Sequence, residues 1–332
     1  MTDPIRLTQS TDAIALTLIA TPVCDQQINL ALGVQFREGA FSLSEGSVKY
    51  GFTGGTFKLN LQKADLTNFS QDIAHYLPVT KFPTLDHPTW KFSLSAGLDV
   101  IKANAEAIPL GTIKTSSDNW SVEAKLTVGK SDILITDVEG LWRHDLRPNK
   151  QAVLHRKLAL FLLENYLPSP LIWLSNHPSQ HKGASPSEGD TSALLRILET
   201  IKTASSDEFL ELCRMAELNP RLDFAGANLR GTTLRGLDFS EANWSRVNLR
   251  GADLTDIDIS EGNLQAAKLS GADLSGAYLS NANLKKADFH RASLALANLS
   301  GANLQGANLQ GANLTQTNLN DCNLEGATFD NN

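Results

Sequence analysis

Cysteine is nearly absent from this chain. The three present, Cys24, Cys213 and Cys322, are far apart and odd in number. They cannot build a disulfide framework and have no paired metal-ligand spacing, so a reduced, cytoplasmic protein is the simplest expectation. Long apolar runs are missing too. The greasiest stretch, from Leu158 to Leu163, is flanked by Arg156, Lys157 and Glu164, far short of the ~20 apolar residues that span a bilayer. The start, Met1-Thr2-Asp3-Pro4, has no basic segment followed by an apolar core, and no secretory signal is expected. Charge of one sign is scarce as well. The net charge of −7 divides into 17 basic and 19 acidic residues over 1–190, and 12 and 17 over 191–332. Neither part has the positive excess of a nucleic-acid binder. The expectation is a soluble protein with no membrane span and no nucleic-acid partner.

Catalytic chemistry is equally thin. The seven histidines are scattered, and His177 and His181 fall in a proline-rich stretch instead of on one helix face. Gly51-Phe52-Thr53-Gly54-Gly55-Thr56 lacks the Lys-Ser/Thr ending of a phosphate loop and reads as a hairpin turn. Arg143-His144-Asp145 has no nucleophile motif beside it. The expectation is no enzyme, no cofactor and no metal.

What is abundant is a five-residue period from Leu222 to Phe329. Counting in fives from Phe224, all 22 positions are large and apolar, and 16 of them are leucine. Two residues before each is a small position, alanine in 14 of the 22 cases. Five matches neither the helical period nor the strand period, and a run rich in Gly and Asn is a poor helix. The pattern suits a chain that turns a corner every five residues, with Leu254, Leu274, Leu304, Leu314, Ala272 and Ala302 pointing inward. Gly231, Gly251, Gly271, Gly301 and Gly311 fall at the bends, where a positive φ favours glycine.

The segment resembles the pentapeptide-repeat family, whose motif stands here as Ala252-Asp253-Leu254, Ala272-Asp273-Leu274, Ala302-Asn303-Leu304 and Ala312-Asn313-Leu314. The resemblance implies a right-handed, four-sided parallel β-helix with four pentapeptides per coil. At roughly 4.8 Å per coil, the repeats would make about five and a half coils. Leu222, Thr232, Leu237, Val247, Ile257 and Gly262 replace alanine early, and Trp244 takes a leucine slot, so the first coils should be wider or less regular.

The rest divides by pattern. Residues 1–145 read as a β-rich sandwich or barrel-like domain, with alternating runs at Ala13–Ile19, Gln27–Phe36, Ser47–Phe52, Trp90–Leu94, Trp120–Val128 and Ser131–Val138. Residues 146–174 read as a helix packing on it, and 175–190, rich in Pro, Ser, Gly and His, as a linker. Residues 191–219 read as a helical cap. It contains one helix from Thr191 or Ser192 with an apolar stripe of Leu194, Leu195, Leu198 and Ile201, and another over Asp207–Ala216 capped by Ser205-Ser206. Residues 220–332 are the β-helix, a mainly β fold throughout.

Stacking residues twenty apart puts Arg230 and Arg250 on one bend, with Arg246, Lys285, Lys286 and Arg291 near it as a candidate interaction surface. Asp238, Glu241, Asp258 and Glu261 gather on another face, and 292–320 carry no charge. The leading functional expectation is a non-enzymatic scaffold that docks an unidentified protein partner on this surface, with the uncapped C-terminal coil either used for self-association or blunted by Asp330-Asn331-Asn332. Two other readings are a DNA mimic binding gyrase, as a branch of that family does, and a ligand-binding β domain with the repeats as spacer. Trp90, Trp120 and Trp142 are the residues whose exposure tests the last.

Overall fold

Alternating apolar and polar residues make strands wherever one face meets a core. The computed structural model describes residues 5–24, 26–85, 88–94, 100–116, 120–142, 145–167, 171–175 and 191–330. Its strands are β1 (Ile5–Ser10), β2 (Ile14–Cys24), β3 (Gln27–Phe36), β4 (Gly39–Leu43), β5 (Gly46–Phe52), β6 (Gly54–Gln62) and β7 (Ala64–Phe69). They continue as β8 (Val79–Lys81), β9 (Thr89–Ser93), β10 (Ala103–Thr115), β11 (Ser121–Thr127), β12 (Ile133–Glu139) and β13 (Leu171–Ser175). The helices are α1 (Pro148–Asn165), α2 (Thr191–Thr203) and α3 (Phe209–Met215). Each of the six alternating runs overlaps a strand.

The chain divides into two units. The first comprises Met1–Leu94, Asp99–Glu139 and Phe161–Gly189. It contains three open antiparallel sheets, ordered β1-β2-β3-β10-β7, β13-β11-β6-β9-β8 and β12-β5-β4. They do not close into a barrel. Their buried faces meet on aromatic rings, with Phe36 on β3 lying 5.7 Å from Phe92 on β9 and 6.4 Å from Phe52 on β5. Each such pair adds about 0.5–1.5 kcal/mol beyond area burial. Gly51 is required by this closeness, because a Cβ there would sit 2.3 Å from Val100.

Two expectations need correction here, and one strand was not expected. Gly51–Thr56 is not a hairpin: β5 and β6 flank Thr53 but lie in different sheets, and Gly54 and Gly55 belong to β6. The helical pattern read from Lys150 to about Tyr166 within the segment 146–174 is the helix Pro148–Asn165, but Leu171–Ser175 of that segment pairs with β11 as a strand. The strand β10 went unread because Pro109 and Gly111 interrupt its sequence; the sheet absorbs them with register shifts. Of the expected linker, 176–190 lie outside the described residues.

The second unit comprises Ser95–Leu98, Gly140–Leu160 and Asp190–Asn332. In it, 17 parallel bridges pair residues twenty apart, from Asn228 with Asn248 to Asn308 with Thr328. Four pentapeptides therefore complete one coil. Asp253 shows the pattern: its N–H donates to Thr232 O at 2.9 Å on the coil behind, and its carbonyl accepts from Leu234 N at 2.8 Å. Inside, Leu254, Leu274 and Leu304 are fully buried, and Ala272 and Ala302 nearly so.

The early coils keep the same twenty-residue bridges and are filled with larger rings. Phe209 of α3 packs 5.2 Å from Phe224 and 6.1 Å from Phe239, and the Trp244 ring lies 4.6 Å from Phe239 while donating from Nε1 to Pro220 O. Ser205-Ser206 does not cap α3; Ser206 Oγ accepts from Glu208 N–H in a local turn, and Glu208 is the N-cap residue. The residues of α1 up to Leu160 belong to this unit, and those from Phe161 to the first. Asn149 accepts from Thr233 N–H at 3.0 Å and donates to Thr233 O at 3.1 Å and Asp207 O at 2.9 Å. One side-chain amide thus gives Thr233 the acceptor and donor that a preceding coil gives Asp253. Lys150 donates to the carbonyls of Lys202 and Ala204 where α2 ends, the end that favours a cation. Buried Arg156 donates to the Asp223 carbonyl, and burial lowers its pKa to about 10 while Asp223 opposes the shift.

Asn149→Ala should destabilise the chain by about 1–3 kcal/mol, the cost of stranding two backbone groups, and should speed amide exchange at Thr233 more than at Asp273. Denaturant titration with exchange mass spectrometry measures both. His155 gives a pH signature. Burial against Trp142, ring centroids 5.8 Å apart, lowers its pKa to about 4 from 6.5. The unfolded chain then binds a proton that the folded chain refuses, so the penalty vanishes well above pH 6.5 and grows as pH falls towards 4. It should remove on the order of 3 kcal/mol by pH 4, and His155→Gln should show a shallower loss of stability between pH 7 and pH 4.

Candidate interaction surface

Every corner of the solenoid obeys one backbone rule. The residue two beyond each central apolar position, from Gly226 to Gly326 in steps of five, has positive φ. Ala252 N–H donates to Leu249 O at 3.1 Å around Gly251, whose φ is 62°, the geometry in which a type II turn demands φ above zero at its third residue. Ten glycines occupy these corners, and eleven other residues accept the same conformation at about 1–2 kcal/mol each. Asparagine supports the turns from the face. Asn298, Asn303, Asn308 and Asn313 each accept, at 3.1–3.2 Å, from the N–H two residues on. Aspartate does the same at Asp238, Asp253, Asp258 and Asp273. The bond from Ser240 N–H, assisted by Arg221 at 3.0 Å, holds the Asp238 carboxyl below its usual pKa. Part of the acidity on this surface therefore has a structural use.

The twenty-residue stacking fixes four faces. The first carries Phe224, Trp244 and Leu264; the second Leu229, Leu249 and Leu269; the third Leu234, Leu254 and Leu274; the fourth Phe239, Ile259 and Leu279. Arg246, Lys285 and Lys286 lie at the corner between the first and second faces. Arg230, Arg250 and Arg291 lie at the corner between the second and third, beside His290. All six candidates thus border the second face, which also carries Lys268 and a single acid, Asp288. Arg230, Lys286 and Arg291 are exposed; Arg246, Arg250 and Lys285 are half-buried. Opposite them, Asp238 and Asp258 lie on the fourth face and Asp256, Glu241 and Glu261 at its corners, with Arg235 pairing to Asp256 at 3.5 Å.

The last coil behaves unlike the rest. Leu314, expected in the core, is only half-buried, and Leu324 and Phe329 are 36% and 37% exposed. No coil follows within the described residues to cover them. Elsewhere Trp90 and Trp120 are buried, while Trp142 is half-buried against His155, so the three tryptophans make no shared platform. Among the described residues, no three His, Cys, Asp or Glu side chains converge as a metal site, and no helix is long and apolar enough to cross a membrane. Cys213 is buried, and burial raises its thiol pKa.

A family model of pentapeptide repeats matches residues 223–261, 263–299 and 297–331, in eight copies. Rfr23, a pentapeptide repeat protein of the cyanobacterium Cyanothece 51142, is 32% identical over 31% of this chain and 88% of its own, with a TM-score of 0.27. The chain belongs to the pentapeptide-repeat family. HetL of Nostoc sp. strain PCC 7120, a family member involved in heterocyst differentiation regulation, is 32% identical over 31% of this chain and 55% of its own, with a TM-score of 0.19. A pentapeptide repeat protein of the Arabidopsis thaliana thylakoid lumen is 34% identical over 30% of this chain and 65% of its own, with a TM-score of 0.20. Among curated proteins, none matches this chain. No family match falls on the β unit.

Burial within the repeats sets an order of cost. Leu274→Ala should destabilise by about 2–5 kcal/mol, as core leucine truncations do. Leu314→Ala, at a half-buried site, should cost less than half as much. Guanidinium unfolding of the full chain checks the ratio.

Proposed function

We propose that this pentapeptide-repeat protein is a non-enzymatic scaffold that docks an acidic protein surface on the second face of its solenoid. The observation that carries this reading is the gathering of Arg230, Arg246, Arg250, Lys285, Lys286 and Arg291 along the two edges of one face, with acids on the opposite face. A flat, ladder-stiffened face holds such charges at fixed spacing, which favours orientation and fast encounter over raw affinity. In this reading the coil is right-handed, the helices of 191–219 cap its first turn with help from Asn149, the β domain of 1–145 is a separate module, and the protein works in the cytoplasm.

A gyrase-binding DNA mimic would need negative charge sustained along the coils. Arg230, Arg235, Arg246, Arg250 and Lys286 interrupt it, and 292–320 are uncharged. A ligand-binding β domain has a groove of about 630 Å³ lined by Lys58, Asn60, Leu66 and Leu85, but its edge mixes charges without a convergent polar set. Self-association would draw on Leu324 and Phe329, which are exposed on the last described coil. A partner stacking there would cover them.

The test is capture from native lysate by the tagged full chain and by the Arg230→Glu, Arg250→Glu, Lys286→Glu variant. The expected result is a protein retained by the first, released by salt and lost with the variant. An identical set captured by both overturns the docking face. At micromolar concentration the chain should leave gyrase supercoiling unchanged.

A further inference from the structure

Two neighbouring positions, one on the fourth face and one at its corner, differ from the other members of their own columns, and both differ towards large exposed side chains. Tyr278 occupies the column of Asp238, Asp258, Asn298 and Asn318. Each of those four accepts a hydrogen bond, at 2.8–3.1 Å, from the N–H two residues on. A tyrosine cannot make that turn-supporting bond, and Tyr278 is 53% exposed. Leu296 occupies a corner column with Gly236, Asp256, Gly276 and Gln316, holds φ at 62° and is 64% exposed. Branched or bulky residues with positive φ are outliers, and this one gains no burial in return.

The two lie side by side. Tyr278 bridges to Asn298 on the next coil, and Leu296 precedes Asn298 by two residues, so their backbones are about 8 Å apart given the coil and residue spacings. Folding explains neither choice, since asparagine and glycine serve the same columns elsewhere. Local rules broken without structural gain mark function more often than accident. An exposed tyrosine beside an exposed leucine, rimmed by polar groups, can anchor a partner's apolar side chain, as aromatic and apolar anchors do at interfaces. The coils behind them carry Asp258, Glu241 and Glu261 on the same face and its corner, which gives the pair an acidic approach.

We propose that the fourth face holds a second docking site, for a protein segment that presents cationic side chains to the acidic early coils and seats an apolar side chain on Tyr278 and Leu296. The site is independent of the basic second face, which repels such a segment.

The probe is a synthetic lysine–leucine peptide, with lysine–serine and glutamate–leucine peptides as counterparts, titrated against the full chain. The lysine–leucine peptide should bind tightest. Leu296→Gly and Tyr278→Asn should each weaken it about tenfold, the loss of one anchor. Both variants insert residues already used in their columns, so their melting temperatures should match or exceed that of the parent. A chain that binds the lysine–leucine peptide no better than the lysine–serine one overturns the proposal. So do folded variants that bind it as tightly as the parent.

Discussion

The parallel backbone ladder at twenty-residue spacing is the constraint on which the solenoid depends. Each bridging segment hydrogen-bonds to both neighbouring coils: Asp253 pairs with Thr232 and Leu234 on the coil behind, while its neighbours Ala252 and Leu254 pair with Asp273 on the coil ahead. That pairing holds only if every coil has the same length. The five-residue period is therefore a requirement of hydrogen bonding first and of packing second. Leucine and alanine fill an interior whose width the ladder has already set. The left-handed corners follow for the same reason, because twenty residues close into a coil only if the chain turns sharply at each side.

A ladder must begin somewhere, and a first coil lacks a coil behind it. Here the Asn149 amide supplies an acceptor and a donor to Thr233, while Phe209 enters among Phe224 and Phe239. These two solutions answer the two needs of an exposed end, polar pairing and apolar cover. Lys150 and Arg156 extend the arrangement along the same helix by donating to the carbonyls of Ala204 and Asp223. On the last described coil the Asp330 carboxylate accepts from Gly311 N–H at 2.8 Å, whereas Leu324 and Phe329 have no apolar cover among the described residues and stay 36% and 37% exposed.

Legibility followed the physics of each region. The solenoid could be read because its rule is local and repeated: Leu254 and Ala272 declare their burial by position alone. Arg230 and Arg250 could be placed on one edge by counting. Asn149 could not be found that way, since its partners are 58 and 84 residues away and its neighbours show only a helix. In the β unit, Ala13–Ile19 and Gln27–Phe36 alternated cleanly and were legible. Strand β10 was hidden by Pro109 and Gly111, and the separation of β5 from β6 depends on long-range pairing with β12 and β11.

The repeat also changes what a departure means. In an irregular fold, an exposed tyrosine or a leucine with positive φ has no control against which to judge it. Here each column contains its own controls, one residue per coil in nearly the same backbone setting. Asp256, Gly276 and Gln316 show what the corner of Leu296 tolerates, and Asn298 and Asn318 show what the column of Tyr278 gains from an acceptor. Charge can be judged in the same way. Asp238 and Asp258 serve their turns, whereas Glu241 and Glu261 stand at corners where glycine would relieve the backbone. Residues that the ladder does not need, and that the corner conformation disfavours, are where selection for binding can be separated from selection for folding.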